Sequence, residues 1–63
     1  MHKSKFIQEI ISELNLVYSA AVEKYNDFEA VYRFTPIMYY HRGRCYYALG
    51  DSVKANADFE HLM

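Results

Sequence analysis

Residues 36–63, with the sequence PIMYYHRGRCYYALGDSVKANADFEHLM, decide the fold that we predict for the whole chain. Residues spaced i, i+4 and i+7 lie on one face of a helix. This spacing occurs twice in the stretch, in the triplets Tyr39, Gly43, Tyr46 and Ala55, Phe59, Leu62. Between the triplets, Gly50 can adopt the left-handed conformation that ends a helix, and Asp51 or Ser52 can cap the next one. The stretch therefore predicts two short helices joined by a turn.

The predicted helices, near residues 37–49 and 52–62, must fold back on each other because the turn between them is short. Gly43 and Ala55 are small at the positions where the two backbones would approach, and aromatic rings can fill the space around them. The predicted helix-packing residues are Tyr39, Gly43, Tyr46, Ala55 and Phe59.

The same positions resemble the signature of the tetratricopeptide repeat, W-x2-L-G-x2-Y followed by A-x3-F and a closing proline. Tyr39 stands at the tryptophan position and Arg42 at the leucine position. Gly43, Tyr46, Ala55 and Phe59 match directly, and the closing proline is missing. The resemblance covers residues 36–63 and implies an all-α fold of stacked helical hairpins that binds other polypeptides.

The N-terminal segment, residues 4–34, contains neither glycine nor proline and predicts a long helix on which the hairpin packs. Its apolar residues recur at steps of three and four, which places them along one helix face. This stripe comprises Phe6, Ile10, Leu14, Val17, Ala21, Tyr25, Phe28 and Tyr32. One helix of this length would extend about 45 Å, well beyond what the hairpin can cover. Either the segment bends back near residues 15–19, or a second molecule covers the projecting part.

A repeated tripeptide favours the bend. Asp-Phe-Glu occurs at residues 27–29 and again, 31 residues later, at residues 58–60, close to the family's period of about 34 residues. Residues 1–35 would then be a degenerate first repeat with a turn near residues 18–20. That turn contains no glycine, and residues 20–21 are alanines, which are strong helix formers. We expect one continuous helix. Two copies would then form a dimer in which each N-terminal helix packs on the other copy, in place of the packing that a hairpin within one chain would provide.

The composition fits a single domain, residues 1–63, that is marginal as a monomer, because a chain of this length buries only about 60% of its unfolded surface. Hydrophobic residues make up 52%, with seven tyrosines and four phenylalanines, so we expect part of this surface to meet another chain or a neighbouring repeat. The single Cys45 excludes an intramolecular disulfide. The sequence contains no apolar run of about 18 residues and no signal-peptide core, so we expect a cytoplasmic protein without a membrane partner.

The net charge of −1 provides no global basic field for nucleic acid, although the basic residues cluster. Residues 30–50 contain no acidic residue and include Arg33, His41, Arg42 and Arg44. We interpret this cluster as a solvated helix face. The alternative is a cationic strip flanked by aromatic residues, which would make the chain a small helical nucleic-acid-binding protein using Arg33, Arg42 and Arg44.

The sequence predicts no catalytic site. His41 and Cys45 share a helix face, but a zinc site needs two more ligands, and no third group would orient the pair for nucleophilic chemistry. Glu9 and Glu13 have the spacing of ordinary helix surface. We expect no enzyme activity, no cofactor and no metal site.

The resemblance implies that the first helix of the hairpin lines a groove for another polypeptide. The implied groove residues are Ile37, Tyr40, His41, Arg44 and Tyr47. Arg44 would anchor a carboxylate, or would pair with Glu9 or Glu13 of a neighbouring first helix. We therefore expect a non-catalytic protein–protein interaction module of the tetratricopeptide type. It would self-associate through exposed apolar helix faces, with a second copy or neighbouring repeats as its partner.

Overall fold

The computed structural model describes residues 5–63, and these residues form three helices and no strand. Helix α1 spans Lys5–Val31, α2 spans Pro36–Ala48 and α3 spans Ser52–Glu60. The predicted all-α class and the helical hairpin on a long N-terminal helix are therefore confirmed. The predicted start of the first helix at Ser4 lies outside the described residues, as does the side chain of Phe6 in the predicted stripe.

The first helix is continuous through residues 18–20, so the alternative with a turn at this point is wrong. The physical reason is that this part of the chain contains good helix formers and neither glycine nor proline to interrupt the helix. The helix ends at Val31, three residues before the predicted end. Pro36 forces Thr35 into an extended conformation (φ −84°, ψ 161°) and then occupies the first turn of α2.

Helix α2 packs between α1 and α3 and contacts both. Its 13 residues extend about 20 Å, whereas the 27 residues of α1 extend about 40 Å. Tyr18 of α1 and Ala48 at the end of α2 line the same groove, so α2 ends beside the middle of α1. The N-terminal half of α1, residues 5–17, therefore projects beyond the hairpin, and we call it the overhang. The longest dimension of the molecule is 46 Å.

Candidate interaction surfaces

The interface between α2 and α3 is built around one glycine. A Cβ atom at Gly43 would lie 2.5 Å from Cε1 of Phe59, so the absence of a side chain lets the Phe59 ring lie against the α2 backbone. Ala55 on α3 is completely buried, at 0% exposure. The ring of Tyr39 stacks on that of His61 with centroids 3.9 Å apart. Gly43, Ala55 and Phe59 therefore lie where the two helices meet, and the ring centroid of Tyr46 lies 5.6 Å from Nζ of Lys54 on α3.

The turn of the hairpin follows the predicted chemistry. Gly50 has a φ of 85°, in the left-handed region that favours glycine. The side chain of Asp51 accepts a hydrogen bond of 3.1 Å from the backbone N–H of Lys54 and so caps α3. These two residues fix the direction in which α3 returns along α2.

Arg42 joins all three helices through its guanidinium group. Nε donates to Oδ2 of Asp58 at 2.8 Å, and Nη2 donates to Oδ1 of the same carboxylate at 2.6 Å. Nη1 donates to Oε1 of Glu29 at 2.7 Å and to Oδ1 of Asn26 at 2.9 Å. The bidentate pair with Asp58 ties α2 to α3, and the bonds to Asn26 and Glu29 tie α2 to α1.

Aromatic rings surround the same guanidinium group. Its central carbon lies 4.4 Å from the ring centroid of Phe34, 5.7 Å from that of Tyr39 and 6.0 Å from that of Tyr46. The hydrogen bonds that Arg42 donates to Asp58 raise the pKa of Arg42 above its ordinary value, and burial, which acts in the opposite direction, does not cancel the effect. Arg42 therefore remains a cation inside an aromatic shell.

The burial of Arg42 corrects our interpretation of the basic cluster. Arg42 is only 7% exposed, so it belongs neither to a solvated helix face nor to a cationic strip. The sequence did not indicate its partners Asn26, Glu29 and Asp58. One available signal was the position of Arg42 on the same helix face as Tyr39, because a charge on a packing face requires a buried counter-charge.

An open groove of about 640 Å³ crosses the outer face of α2 between α1 and α3. Four of the five groove residues implied by the family resemblance line it, namely Tyr40, His41, Arg44 and Tyr47. Ile37, the fifth, lies in the first turn of α2 and outside this lining, with 63% of its surface exposed. Tyr18, Ala21 and Tyr25 form the α1 wall, and Phe59 contributes from α3.

The groove carries a positive charge without a counter-charge. The guanidinium carbon of Arg44 lies 5.7 Å from the ring centroid of Tyr40, and no carboxylate pairs with Arg44 within the described residues. Cys45 also lines the groove, and burial raises the pKa of its thiol although Arg44 acts in the opposite direction. The thiol is therefore protonated near neutral pH, and the groove combines aromatic walls with one accessible cation.

The overhang exposes an unusual amount of aliphatic surface. One face of the overhang, which we call its inner face, presents Ile7 (52% exposed), Ile10 (41%), Ile11 (48%), Leu14 (47%) and Val17 (63%). A contiguous apolar face of this kind indicates an interaction surface rather than ordinary solvent-exposed residues. Leu16, which is 70% exposed, points away from this face.

Residues 5–63 contain neither a cluster of metal-ligand side chains nor a membrane-spanning helix. No group of three or more His, Cys, Asp or Glu side chains in this range could hold a metal ion. None of the helices in this range combines the length and the apolar character that crossing a membrane requires.

Comparison of the chain with protein-family models, with curated proteins and with solved structures finds no match. The features that bear on function are therefore the overhang, the groove and the packing of the hairpin.

Proposed function

We propose that this chain is a non-catalytic protein–protein interaction module of the tetratricopeptide type that self-associates through the inner face of its overhang. The observation that carries the proposal is the length of α1 relative to the hairpin. Helix α2 covers only about half of α1, and five aliphatic side chains of the overhang keep between 41% and 63% of their surface exposed.

The size of this surface suits a reversible dimer. Complete burial of a Val, Leu or Ile side chain contributes about 1.5–3 kcal/mol, so the exposed half of each side chain represents about 1 kcal/mol. Five such side chains in each of two copies give a gross contribution of about 10 kcal/mol. Association itself costs at least about 4 kcal/mol, which leaves at most about 6 kcal/mol and a dissociation constant of tens of micromolar or weaker.

Helix formation supplies a second argument. The overhang is about 13 residues long, and isolated helices shorter than about 12–15 residues are marginal in water even when their residues favour helix. A packing partner for its apolar face would stabilise the helix that the structure shows. Association and helicity of the overhang are therefore coupled, and dilution lowers both.

The family assignment is part of this proposal and is supported by the hairpin. Gly43, Ala55 and Phe59 make the close contact for which the signature residues of such repeats are suited. Arg42 departs from the signature, since its ion pair with Asp58 fills the space of an apolar side chain. The groove along α2 is then the surface for another polypeptide, a second copy of this chain included, and the single Cys45 suits a reducing, cytoplasmic setting.

The proposal is tested by comparing two matched variants of one helix. Leu14→Asp places a charge on the inner face of the overhang, whereas Leu16→Asp makes the same change on the opposite, 70% exposed side. Sedimentation equilibrium is expected to show dimerisation of the wild type at micromolar concentration, a dissociation constant at least about 100-fold higher for Leu14→Asp, and little change for Leu16→Asp. A wild type that stays monomeric into the millimolar range would contradict the proposal, as would equal effects of the two variants.

Nucleic-acid binding is the alternative function. The structure removes Arg42 from the surface and leaves Arg33 and Arg44 exposed, on a chain with a net charge of −1. Two exposed arginines neutralise too few phosphates for strong binding. We expect no shift when RNA or DNA is titrated with the protein at low salt, and a shift that weakens steeply with salt would favour the alternative.

A further inference from the structure

The inner face of α1 continues without a break from the overhang into the half that carries the hairpin. Ile7, Leu14, Ala21 and Phe28 follow each other at steps of seven residues, which keeps them within about 60° of one another around the helix. Ala21 lines the large groove and also a second apolar cavity of about 350 Å³, whose other residues include Tyr25 and Phe28. The small side chain of Ala21 thus lies between two recesses on the same face that the overhang extends.

We propose that two copies pair antiparallel along the whole of α1, about a two-fold axis beside Val17 and Tyr18, so that each overhang fills the recesses of the other copy. The inference rests on the proposed self-association and adds its geometry. In this arrangement the overhang of one copy packs on α1 of the second copy. It occupies the place that the first half of α1 would take if the helix bent back on itself within one chain.

The register follows from matching large side chains to recesses. Leu14 of one copy then lies opposite Ala21 of the second copy, which is the smallest residue of the face and borders both recesses. The same register fixes the other contacts, namely Ile7 with Phe28, Ile10 with Tyr25 and Val17 with Tyr18 of the second copy. Each half of α1 thereby contacts the opposite half of its counterpart, and both overhangs are covered.

Charge complementarity supports this register. Lys24 lines the smaller recess, is exposed, and makes no ion pair within the described residues. Glu9 and Glu13 lie on the same flank of α1 as Lys24, within about 60° around the helix. Within one chain, Glu13 lies about 16 Å from Lys24 along the helix axis, which is too far for an ion pair. In an antiparallel pair, the two-fold axis places this flank of one copy beside the same flank of the second copy. The register then puts Lys24 between Glu9 and Glu13 of the second copy.

Two other pairings are less favourable on the same grounds. If only the overhangs paired, antiparallel about Ile11, Glu9 of one copy would face Glu13 of the other, and the two recesses would stay empty. A parallel pairing would place overhang against overhang, so that Lys24 of neither copy would meet Glu9 or Glu13 of the other. Both pairings lack the attraction between Lys24 and these carboxylates and leave the apolar lining of the recesses uncovered.

Cross-linking of single-cysteine variants distinguishes the three arrangements. In a Cys45→Ala background, new cysteines are introduced one at a time at residues 7, 11, 17 and 28 of the full chain and treated with a short bis-maleimide. We expect Val17→Cys to cross-link with itself, because the two copies of residue 17 lie next to the axis. Ile7→Cys and Phe28→Cys should cross-link only when the two variants are mixed, since two copies of residue 7 are about 32 Å apart along the axis.

Other patterns overturn the register. Efficient self-cross-linking of Ile7→Cys would show a parallel dimer, and faster self-cross-linking of Ile11→Cys than of Val17→Cys would show pairing of the overhangs alone. Both outcomes leave the proposed self-association intact. A chain that sedimentation shows to be monomeric would instead remove the proposed function and this inference together.

Reversing charges tests the same register independently. Lys24→Glu adds a carboxylate between Glu9 and Glu13 of the second copy and should raise the dissociation constant at low salt by about 3- to 30-fold, as expected for two symmetric surface pairs. Adding Glu13→Lys to this variant should recover most of the loss. If Lys24→Glu leaves the dissociation constant unchanged, or if the double variant is weaker still, the register is wrong.

Discussion

Replacing Asp58 with alanine tests whether the buried guanidinium group of Arg42 depends on its carboxylate partner. Arg42 and Asp58 are 7% and 5% exposed, and two hydrogen bonds of 2.8 and 2.6 Å join them. Without Asp58, the buried guanidinium group keeps only its hydrogen bonds to Asn26 and to Glu29, whose 40% exposed carboxylate is screened by solvent. The loss should therefore be about 3 kcal/mol, the lower end of the range for breaking a buried ion pair. The total stability of a chain of 63 residues, at about 0.05–0.15 kcal/mol per residue, is about 3–9 kcal/mol. The Asp58→Ala variant should therefore lose at least about a third of the stability of the folded chain.

The chain offers a matched control in the second carboxylate. Glu29 also bonds to Arg42, at 2.7 Å, but its side chain is 40% exposed. Solvent screens this pair, so Glu29→Ala should cost only about 1 kcal/mol or less. The double variant Arg42→Leu/Asp58→Leu removes both buried charges, and we expect it to lie within about 2 kcal/mol of the wild type.

The assay is urea unfolding followed by circular dichroism at 222 nm, at one protein concentration because self-association adds to apparent stability. Similar small losses for Asp58→Ala and Glu29→Ala would refute the reasoning. So would a double variant less stable than either Asp58→Ala or Arg42→Leu alone. Because the pKa of Arg42 is raised, its contribution to stability is fully present below the unfolded-state pKa and is lost only as the pH rises through the raised folded-state pKa, so raising the pH from neutral to mildly alkaline values should not reduce it.

Three further predictions concern the hairpin and the groove. Gly43→Ala puts a Cβ atom 2.5 Å from the Phe59 ring, so urea unfolding should show a loss of about 1–3 kcal/mol, and a loss below about 0.5 kcal/mol would contradict the packing. Gly50→Ala meets no neighbouring atom but has a φ of 85°, so the same assay should show a strain cost of about 1–2 kcal/mol. Burial raises the pKa of Cys45, so iodoacetamide at about pH 8.5 should label it more slowly in the folded than in the urea-unfolded chain. Its stabilising contribution is present at lower pH and is lost as pH rises through the raised pKa. Labelling that is equally fast in both states would contradict this.

Much of the fold could be predicted because its signals are local. Gly50 and Asp51 determine the turn within a few residues, and the absence of a breaker before Thr35 determines the continuity of α1. The close approach at Gly43 could also be predicted, because it needs only the helical period and the small size of the residue.

The interior role of Arg42 could not be predicted in the same way. Its carboxylate partners lie 13 and 16 residues away in sequence, at Glu29 and Asp58, and helical spacing within one element does not relate them. A single arginine among other basic residues also suggests a surface by composition alone. Ile37 was assigned to the groove by resemblance, whereas its place in the first turn of α2 puts it outside the lining.

Hydrogen–deuterium exchange as a function of protein concentration tests the central claim most directly, because it reports on the overhang itself. If a second copy covers residues 5–17, their backbone amides should exchange rapidly at nanomolar concentration and at least about tenfold more slowly well above the dissociation constant. The amides of α2 and α3, which are held within one chain, should change much less. Exchange of residues 5–17 that does not depend on concentration would contradict the account.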